Sequence, residues 1–432
     1  MPTTADILPQ QVPLRALPHR VWDVCVVGAG PAGATCAWAL ATRGMSVLVV
    51  DKDRFPRSKA CGDFLIADTL NVLTKMGLLD RVRSAAHVVP VMEISSPAGI
   101  RFEVAGPFLT LKRADFDAVL MAHVTTAGAT FAHASVTDVR AENGNAHVNL
   151  HFHDPQADPA VAKIAVLATG AVATLPQRCG LVTNSEPSAV AIRRYIRSQQ
   201  PLERALIYYH ASTLPGYFWI IPLGQDPETS YEYNVGCGMP HHLIKNGKRS
   251  LKQSLEQLCL ELPEVQRIVR EAEAISPIEG AALRCGMAQS DRAQHGNVLA
   301  VGEAVGTTLP FTGEGIGKAM ESSLIAAESI YEALTSRDNS RLGQYRSELE
   351  SRMKPRYAAY ARAERWLARP RLNDLMARRI AKRRWLQERL SDIMSDRGDP
   401  RSVFGIYPML LSIFKGDVSR RAQLRQDERN GE

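Results

Sequence analysis

The residues best placed to do chemistry together stand near the start of the chain, where Gly28-Ala29-Gly30-Pro31-Ala32-Gly33 is followed, 23 positions after Gly28, by Asp51. This is the G-x-G-x-x-G spacing. Gly28 permits a tight turn, Gly30 lets backbone approach a pyrophosphate, and Gly33 lets a helix pack closely on a strand. A helix starting at such a turn offers free N–H groups and the positive end of its dipole to phosphate. An acid closing the next strand can accept hydrogen bonds from both hydroxyls of a ribose. The pattern predicts a dinucleotide site, with Ala32, Lys52 and Val136 as further contacts.

Three later segments favour FAD over NAD. Leu111-Lys112-Arg113-Ala114-Asp115-Phe116-Asp117 opens a helix with basic residues, and Arg113 could reach the cofactor's phosphates or ribityl chain, or simply cap a surface helix. Ala168-Thr169-Gly170 ends a strand in small residues that can abut a dinucleotide, so Ala168 and Gly170 are candidate contacts. Pro310-Phe311-Thr312-Gly313-Glu314-Gly315-Ile316 sets glycines immediately before a helix. Backbone donors at Pro310 to Ile316, Gly313 and Gly315 among them, could stabilise negative charge on the N1 and O2 edge of a reduced flavin. No second G-x-G-x-x-G follows, so electrons are expected from NAD(P)H docking transiently or from a separate flavin reductase.

The elements that must hold these residues are legible in the apolar pattern. Asp23 to Val27 and Ser46 to Val50 read as strands buried on both faces, with an alanine-rich helix from Ala34 to Ala41 between them. Lys163 to Gly170 and Asn297 to Gly306 are further apolar runs ending in small residues, and Gly315 to Leu334 has helical spacing. Val88 to Thr110 and Ala205 to Met239 carry aromatic and β-branched residues between turn signals, as an antiparallel sheet does. The expected fold is α/β: a discontinuous Rossmann-type FAD-binding domain with an inserted antiparallel β-sheet substrate lobe and a helical C-terminal appendage. Its boundaries are a loose arm at 1–20, FAD-binding segments at 21–87, 111–185 and 281–340, substrate-lobe segments at 88–110 and 186–280, and a basic helical region at 341–432.

Taken as a set, from about Trp22 to Leu334, these motifs resemble the flavoprotein group of p-hydroxybenzoate hydroxylase-type monooxygenases, flavin-dependent halogenases and geranylgeranyl reductases. Phe55-Pro56-Arg57-Ser58-Lys59-Ala60-Cys61-Gly62-Asp63 is similar to the reductase pattern, in which Lys-x-Cys-Gly passes close to the flavin. Arg113 and Asp117 match the family's Arg and Asp on the helix after the first crossing into the lobe. Gly216-Tyr217-Phe218-Trp219-Ile220-Ile221-Pro222 resembles an aromatic segment shared with the halogenases, and Val235-Gly236-Cys237-Gly238 the glycine strand beside it. Tyr217 and Trp219 alternate, so they share one face of a strand. They wall an apolar pocket over the flavin or pack an ordinary core; Cys61 positions the flavin or takes part in chemistry. One departure stands out: Gly302-Glu303 replaces the usual Gly-Asp, so the longer Glu303 must retract or bond a ribityl hydroxyl through water.

The resemblance implies an FAD-dependent oxidoreductase. Hydroxylation of an aromatic or electron-rich substrate through a flavin C4a-hydroperoxide, with O2 as oxidant, is favoured by Cys61-Gly62-Asp63-Phe64-Leu65, since prenyl reductases tend to carry another glycine where Phe64 stands. The substrate could be carried by a protein, even as a tryptophan side chain. Reduction of a C=C bond in a prenyl or other apolar substrate is the alternative. Halogenation comes third, because Cys61-Gly62-Asp63 replaces a Gly-Glu-Ser pattern. A non-catalytic prenyl-protein-binding module shares the architecture but does not need the full cofactor set.

Composition sets the frame. The chain has 432 residues, 45% hydrophobic and 22% charged, ordinary for a globular protein with a substantial core. Seven scattered cysteines, odd in number and without a Cys-x-x-Cys pair, suit free thiols in a reducing compartment; no metal site is expected. Neither a secretory signal nor a run of about 18 apolar residues is apparent, so a cytoplasmic location is expected, with peripheral membrane contact left open. The net charge of +7 is concentrated between Arg352 and Arg389, where 13 basic residues face three acids. That segment is a solvated helical face, or it docks an acidic partner or anionic lipid. No motif there supports nucleic-acid binding.

Overall fold

The computed structural model describes residues 8–142, 147–225, 230–287 and 292–404. Its first sheet is built on Val21–Val27, which pairs in parallel with Val47–Asp51 on one side and Ala160–Leu167 on the other. Thr130–His133 extends the sheet beyond Val47–Asp51, and Val298–Ala300 extends it beyond Ala160–Leu167. Every side chain of Val47–Asp51 is buried, as expected of a parallel strand covered on both faces. The helices Pro31–Ala41 and Ile316–Ser336 pack on each other against this sheet. Alanines at 32, 34, 37, 39 and 41 keep the first of them thin enough for close approach.

The second sheet has nine strands and collects pieces from four stretches of chain: Phe64–Leu65, His87–Thr110, Ala189–Pro240 and Ala272–Leu283. It was read as antiparallel, and it is so except for one pair. Ala205–Tyr208 runs parallel to His87–Ser95 because the chain leaves for the first sheet and returns between them. One face packs under the helices Leu251–Glu261 and Pro263–Arg270, in a core that holds Phe218, Ile220 and Cys237. The opposite face looks toward the first sheet.

The arm at 1–20 was expected to be loose. Its described part is tied down: the Val12 N–H donates to the Phe131 carbonyl at 2.8 Å, and Val12 bridges Ala132 in parallel. Thr130–His133 is an edge strand, and its unpaired backbone groups are satisfied by a passing chain. Toward the other end, Gln344–Leu367, Pro370–Lys382 and Arg384–Met394 are helices, as the pattern suggested. A short apolar patch in the sequence at 407–414, far below the length of a membrane span, lies outside the described residues. Among these no helix is long and apolar enough to cross a membrane, no group of His, Cys, Asp and Glu could hold a metal ion, and all seven cysteines are free.

Candidate cofactor and substrate site

The glycine turn follows directly from strand Val21–Val27. Gly28 takes φ 106°, and a Cβ there would lie 2.3 Å from the Ala168 carbonyl oxygen; one at Gly33 would lie 1.8 Å from the Gly28 oxygen. Both positions are closed to any larger residue. Gly30 differs: a Cβ would meet only the guanidinium tips of Arg57, at 3.3 Å, and Arg113, at 3.8 Å. The open side of the turn is therefore faced by two cations at the start of helix Pro31–Ala41. Asp51 closes its strand with Oδ2 accepting from the Ala29 N–H at 2.7 Å and Oδ1 from the Asp53 N–H at 2.9 Å.

The two arginines share an anchor. Arg113 holds Asp117 through Nε at 2.8 Å and Nη2 at 2.7 Å, and Arg57 Nη2 reaches Asp117 Oδ2 at 3.0 Å. Burial opposes the charge on Arg113, yet the adjoining Asp117 carboxylate holds its pKa above the ordinary arginine value. Arg57 Nε also lies 3.8 Å from Asp51 Oδ2, so two guanidinium groups and two carboxylates meet beside the turn. Arg57 Nε, moreover, is buried without a hydrogen-bond partner among the described residues. The residues fit a dinucleotide: a cradle that a side chain would fill, a ribose-facing acid, and cations for a pyrophosphate. Arg57 was not singled out in the sequence; its clue is its place six residues beyond Asp51.

The predicted site residues converge on one cavity of about 1570 Å³, larger than the roughly 300–1,000 Å³ of common small-ligand pockets. It has room for a dinucleotide and a second molecule. Gly28, Gly30, Ala32, Asp51, Lys52 and Val136 line one end. Cys61, Arg113, Ala168, Gly170 and Glu303 follow, then Pro310, Gly313, Gly315 and Ile316, and finally Tyr217 and Trp219. Gly33 alone stays out of the wall, packed against the turn it permits. Glu303 is drawn back: Oε1 accepts from the Arg284 N–H at 3.2 Å and from the Thr308 hydroxyl at 3.3 Å, and Oε2 lies 3.5 Å from Lys59 Nζ.

Tyr217 and Trp219 do point to one side of their strand. Their ring centroids are 5.9 Å apart on the cavity face, while Phe218 and Ile220 enter the opposite core. Trp219 is also fixed like a core residue. Its Nε1 donates to Asn234 Oδ1 at 2.8 Å, and a Cβ at Gly236 would strike the indole at 2.4 Å. The Tyr217 hydroxyl donates to the Thr312 carbonyl, which ties the aromatic strand to the loop before helix Ile316–Ser336.

Asn234 escaped the sequence reading, since nothing in its neighbourhood marks it. Its Nδ2 donates to the Cys61 carbonyl at 2.7 Å and to Asp63 Oδ2 at 2.8 Å. Asp63 is fully buried with φ 58° and also accepts from the Arg113 N–H at 3.1 Å and the Tyr195 hydroxyl at 2.8 Å. These contacts hold residues 61–63 against the second sheet. Burial pushes the Cys61 thiol up, with nearby Arg113 only partly opposing it, so the sulfur stays a neutral thiol rather than a nucleophilic thiolate.

The C-terminal region is more than an appendage. Tyr360, Ala361 and Glu364 of the helix Gln344–Leu367, Ala368 just beyond its end, Leu390 and Ile393 of the helix Arg384–Met394, and Phe404 form part of the cavity wall. Phe311 joins this wall, with centroids 6.0 Å from Tyr360 and 5.8 Å from Phe404. The basic residues Arg369, Arg371, Arg378 and Lys382 are exposed on the outside. No motif announced the inward apolar face, because helical spacing says which residues are buried and not what they cover.

Comparison with known proteins agrees with this geometry. A family described as "FAD binding domain" matches residues 21–356. The chain is 26% identical over 351 residues to conditioned medium factor receptor 1 of Dictyostelium discoideum, covering 74% of this chain and 65% of that protein, so it spans just under two thirds of that relative's length. It is 29% identical over 331 residues to digeranylgeranylglycerophospholipid reductase 1 of Methanopyrus kandleri, covering 74% and 83% of the two chains. Among solved structures, a geranylgeranyl bacteriochlorophyll reductase-like protein of Thermoplasma acidophilum superposes with a TM-score of 0.74 at 21% identity, covering 91% and 98%.

Proposed function

The chain belongs to the FAD-binding-domain family of flavin-dependent oxidoreductases, and from that premise we propose that it reduces a carbon–carbon double bond in an elongated apolar substrate. The observation that carries this reading is the continuation of the cavity past Tyr217 and Trp219 to a largely apolar wall of Phe311, Tyr360, Leu390, Ile393 and Phe404. A small aromatic substrate would not need that length. The name of the archaeal relative, a digeranylgeranylglycerophospholipid reductase, supports the same class.

Each group of residues has a defined task. The Gly28 to Gly33 turn and the start of helix Pro31–Ala41 receive the pyrophosphate, with Arg57 and Arg113 balancing its charge and Asp51 accepting from the ribose. Pro310 to Ile316 presents backbone donors to the flavin's pyrimidine edge. When bound, FAD supplies two-electron hydride chemistry. Tyr217 and Trp219, fixed by Thr312 and Asn234, would wall the substrate space and limit how the double bond can lie. The C-terminal helices keep water away from the reacting atoms.

Hydroxylation is the second reading, and the bulky Phe64 in the segment after Cys61 favours it. The two readings separate on product mass. Protein reduced under nitrogen and mixed with a polyprenyl ester should yield a product heavier by two hydrogen atoms. A product that appears only in air and gains one oxygen atom would favour hydroxylation instead. NAD(P)H or a separate flavin reductase serves as electron donor in either case.

A further inference from the structure

Glu314 is the one residue of the 310–316 loop with an ionisable side chain, and it stands in the cavity wall between the aromatic strand and the C-terminal helices. Its backbone is fixed: the Leu309 N–H donates to the Glu314 carbonyl at 2.8 Å, and the Glu314 N–H lies 3.4 Å from the Thr312 hydroxyl. Its carboxyl has no hydrogen-bond or ion-pair partner among the described residues.

Four other carboxylates near the cofactor end are engaged. Asp51 holds two backbone N–H groups, Asp117 two guanidinium groups and Asp63 three donors, while Glu303 is bound to Arg284 and Thr308. The Tyr217 hydroxyl is committed to Thr312. Lys318, one helical turn beyond Glu314, is held 3.3 Å from Asp68 and 2.9 Å from Glu321. A carboxyl that is poised on a rigid loop, faces the substrate space and serves no structural bond is free to exchange a proton.

We propose that Glu314 is the acid of this site, the group that hands a proton to the molecule bound in the cavity. The proposal rests on the reading of the protein as a double-bond reductase. The O–H bond of Glu314 breaks and a C–H bond forms at one alkene carbon. The other carbon takes a hydride from the reductant, the dihydroflavin of reduced FAD. The π bond is consumed, the flavin ends oxidised, and the carboxylate regains its proton from solvent. The surroundings suit this role: burial, then the negative charge of Asp68, push the Glu314 carboxyl up to about 8, with Lys318 only partly opposing them. Tyr209, Tyr217 and Tyr360 face it from the remaining elements as neutral phenols, their own pKa values raised by burial. Glu364, on the C-terminal helix, is the competing carboxyl in the wall.

The test combines infrared spectroscopy with turnover. In wild-type protein, with or without FAD, a protonated-carboxyl stretch should be present at pH 6.5, titrate away near pH 8 and be missing from Glu314→Gln. Reduction of a polyprenyl ester should fall about 10²- to 10⁴-fold in that variant, the usual weight of a positioned general acid. Glu314→Asp should recover part of the rate, and the fall in wild-type rate on raising the pH through 8 should vanish in Glu314→Gln. A stretch that survives in Glu314→Gln, or a rate loss found in Glu364→Gln and not in Glu314→Gln, overturns the proposal. If wild-type protein reduces no alkene, the reading of the reaction fails, and the infrared band still decides whether Glu314 holds the proton.

Discussion

Arg57 Nη2 lies 3.0 Å from Asp117 Oδ2, the same oxygen that Arg113 Nη2 holds at 2.7 Å. A single buried carboxylate thus positions both guanidinium groups that face the glycine turn. Asp117→Ala takes from buried Arg113 its carboxylate partner, leaves Arg57 only Asp51 at 3.8 Å, and should cost about 3–5 kcal/mol of stability, read as a lowered denaturation midpoint. Arg57→Ala removes one charge-assisted contact worth about 1.5–3 kcal/mol. FAD affinity, followed by quenching of flavin fluorescence, should drop about 10- to 100-fold.

Gly30 and Gly33 separate binding from folding. A methyl group at Gly30 meets only flexible side-chain tips, whereas one at Gly33 meets backbone at 1.8 Å. Gly30→Ala should fold with a near-wild-type circular dichroism spectrum and lose FAD, because the added carbon occupies the phosphate's approach. Gly33→Ala should fail to accumulate as folded protein. Equal folding and equal FAD content in the two variants would refute this division.

Asn234 joins the aromatic strand to the loop at Cys61. Asn234→Ala strands the Trp219 N–H and removes a donor from buried Asp63, and should cost about 1–3 kcal/mol for each group left unsatisfied. Asn234→Leu should do no better, since its size is similar but it can neither accept from Trp219 nor donate to Asp63. Tryptophan fluorescence, which reports the freed indole, should shift in both.

These contacts mark the limit of what the sequence discloses. The strand, turn, helix and acid between Val21 and Asp51 are local, so spacing and hydrophobic pattern were enough to read them. Tyr217 and Trp219 were legible as a pair because alternation along a strand fixes their common face. Asn234 was not: its partner Cys61 lies 173 positions away, and one polar residue in an apolar strand looks the same whether it faces solvent or bridges two lobes. The C-terminal helices showed their basic side plainly. Their inner residues became part of the site only when Tyr360 and Phe404 met Phe311 across the fold.

Glu314 also sets a pH dependence of stability. Its carboxyl sits at about 8 in the folded protein against an ordinary 4.5, so the folded state keeps a proton that the unfolded chain releases. Its contribution is complete below about 4.5 and is lost as the pH rises toward 8, with a slope of at most about 1.4 kcal/mol per pH unit. Urea midpoints measured from pH 5 to 9 should fall more steeply in wild type than in Glu314→Gln. Parallel curves would mean that the group titrates normally.

An apolar alkene in this cavity is expected to draw its electrons directly from the protein's own FAD, which flavin absorbance in an anaerobic single turnover reads without an intermediary. Reduced protein mixed with a polyprenyl ester under nitrogen should regain the oxidised flavin spectrum, at a rate that rises with substrate and saturates. If the flavin stays reduced until air is admitted, whatever alkene is offered, the protein is no alkene reductase and oxygen is the electron acceptor.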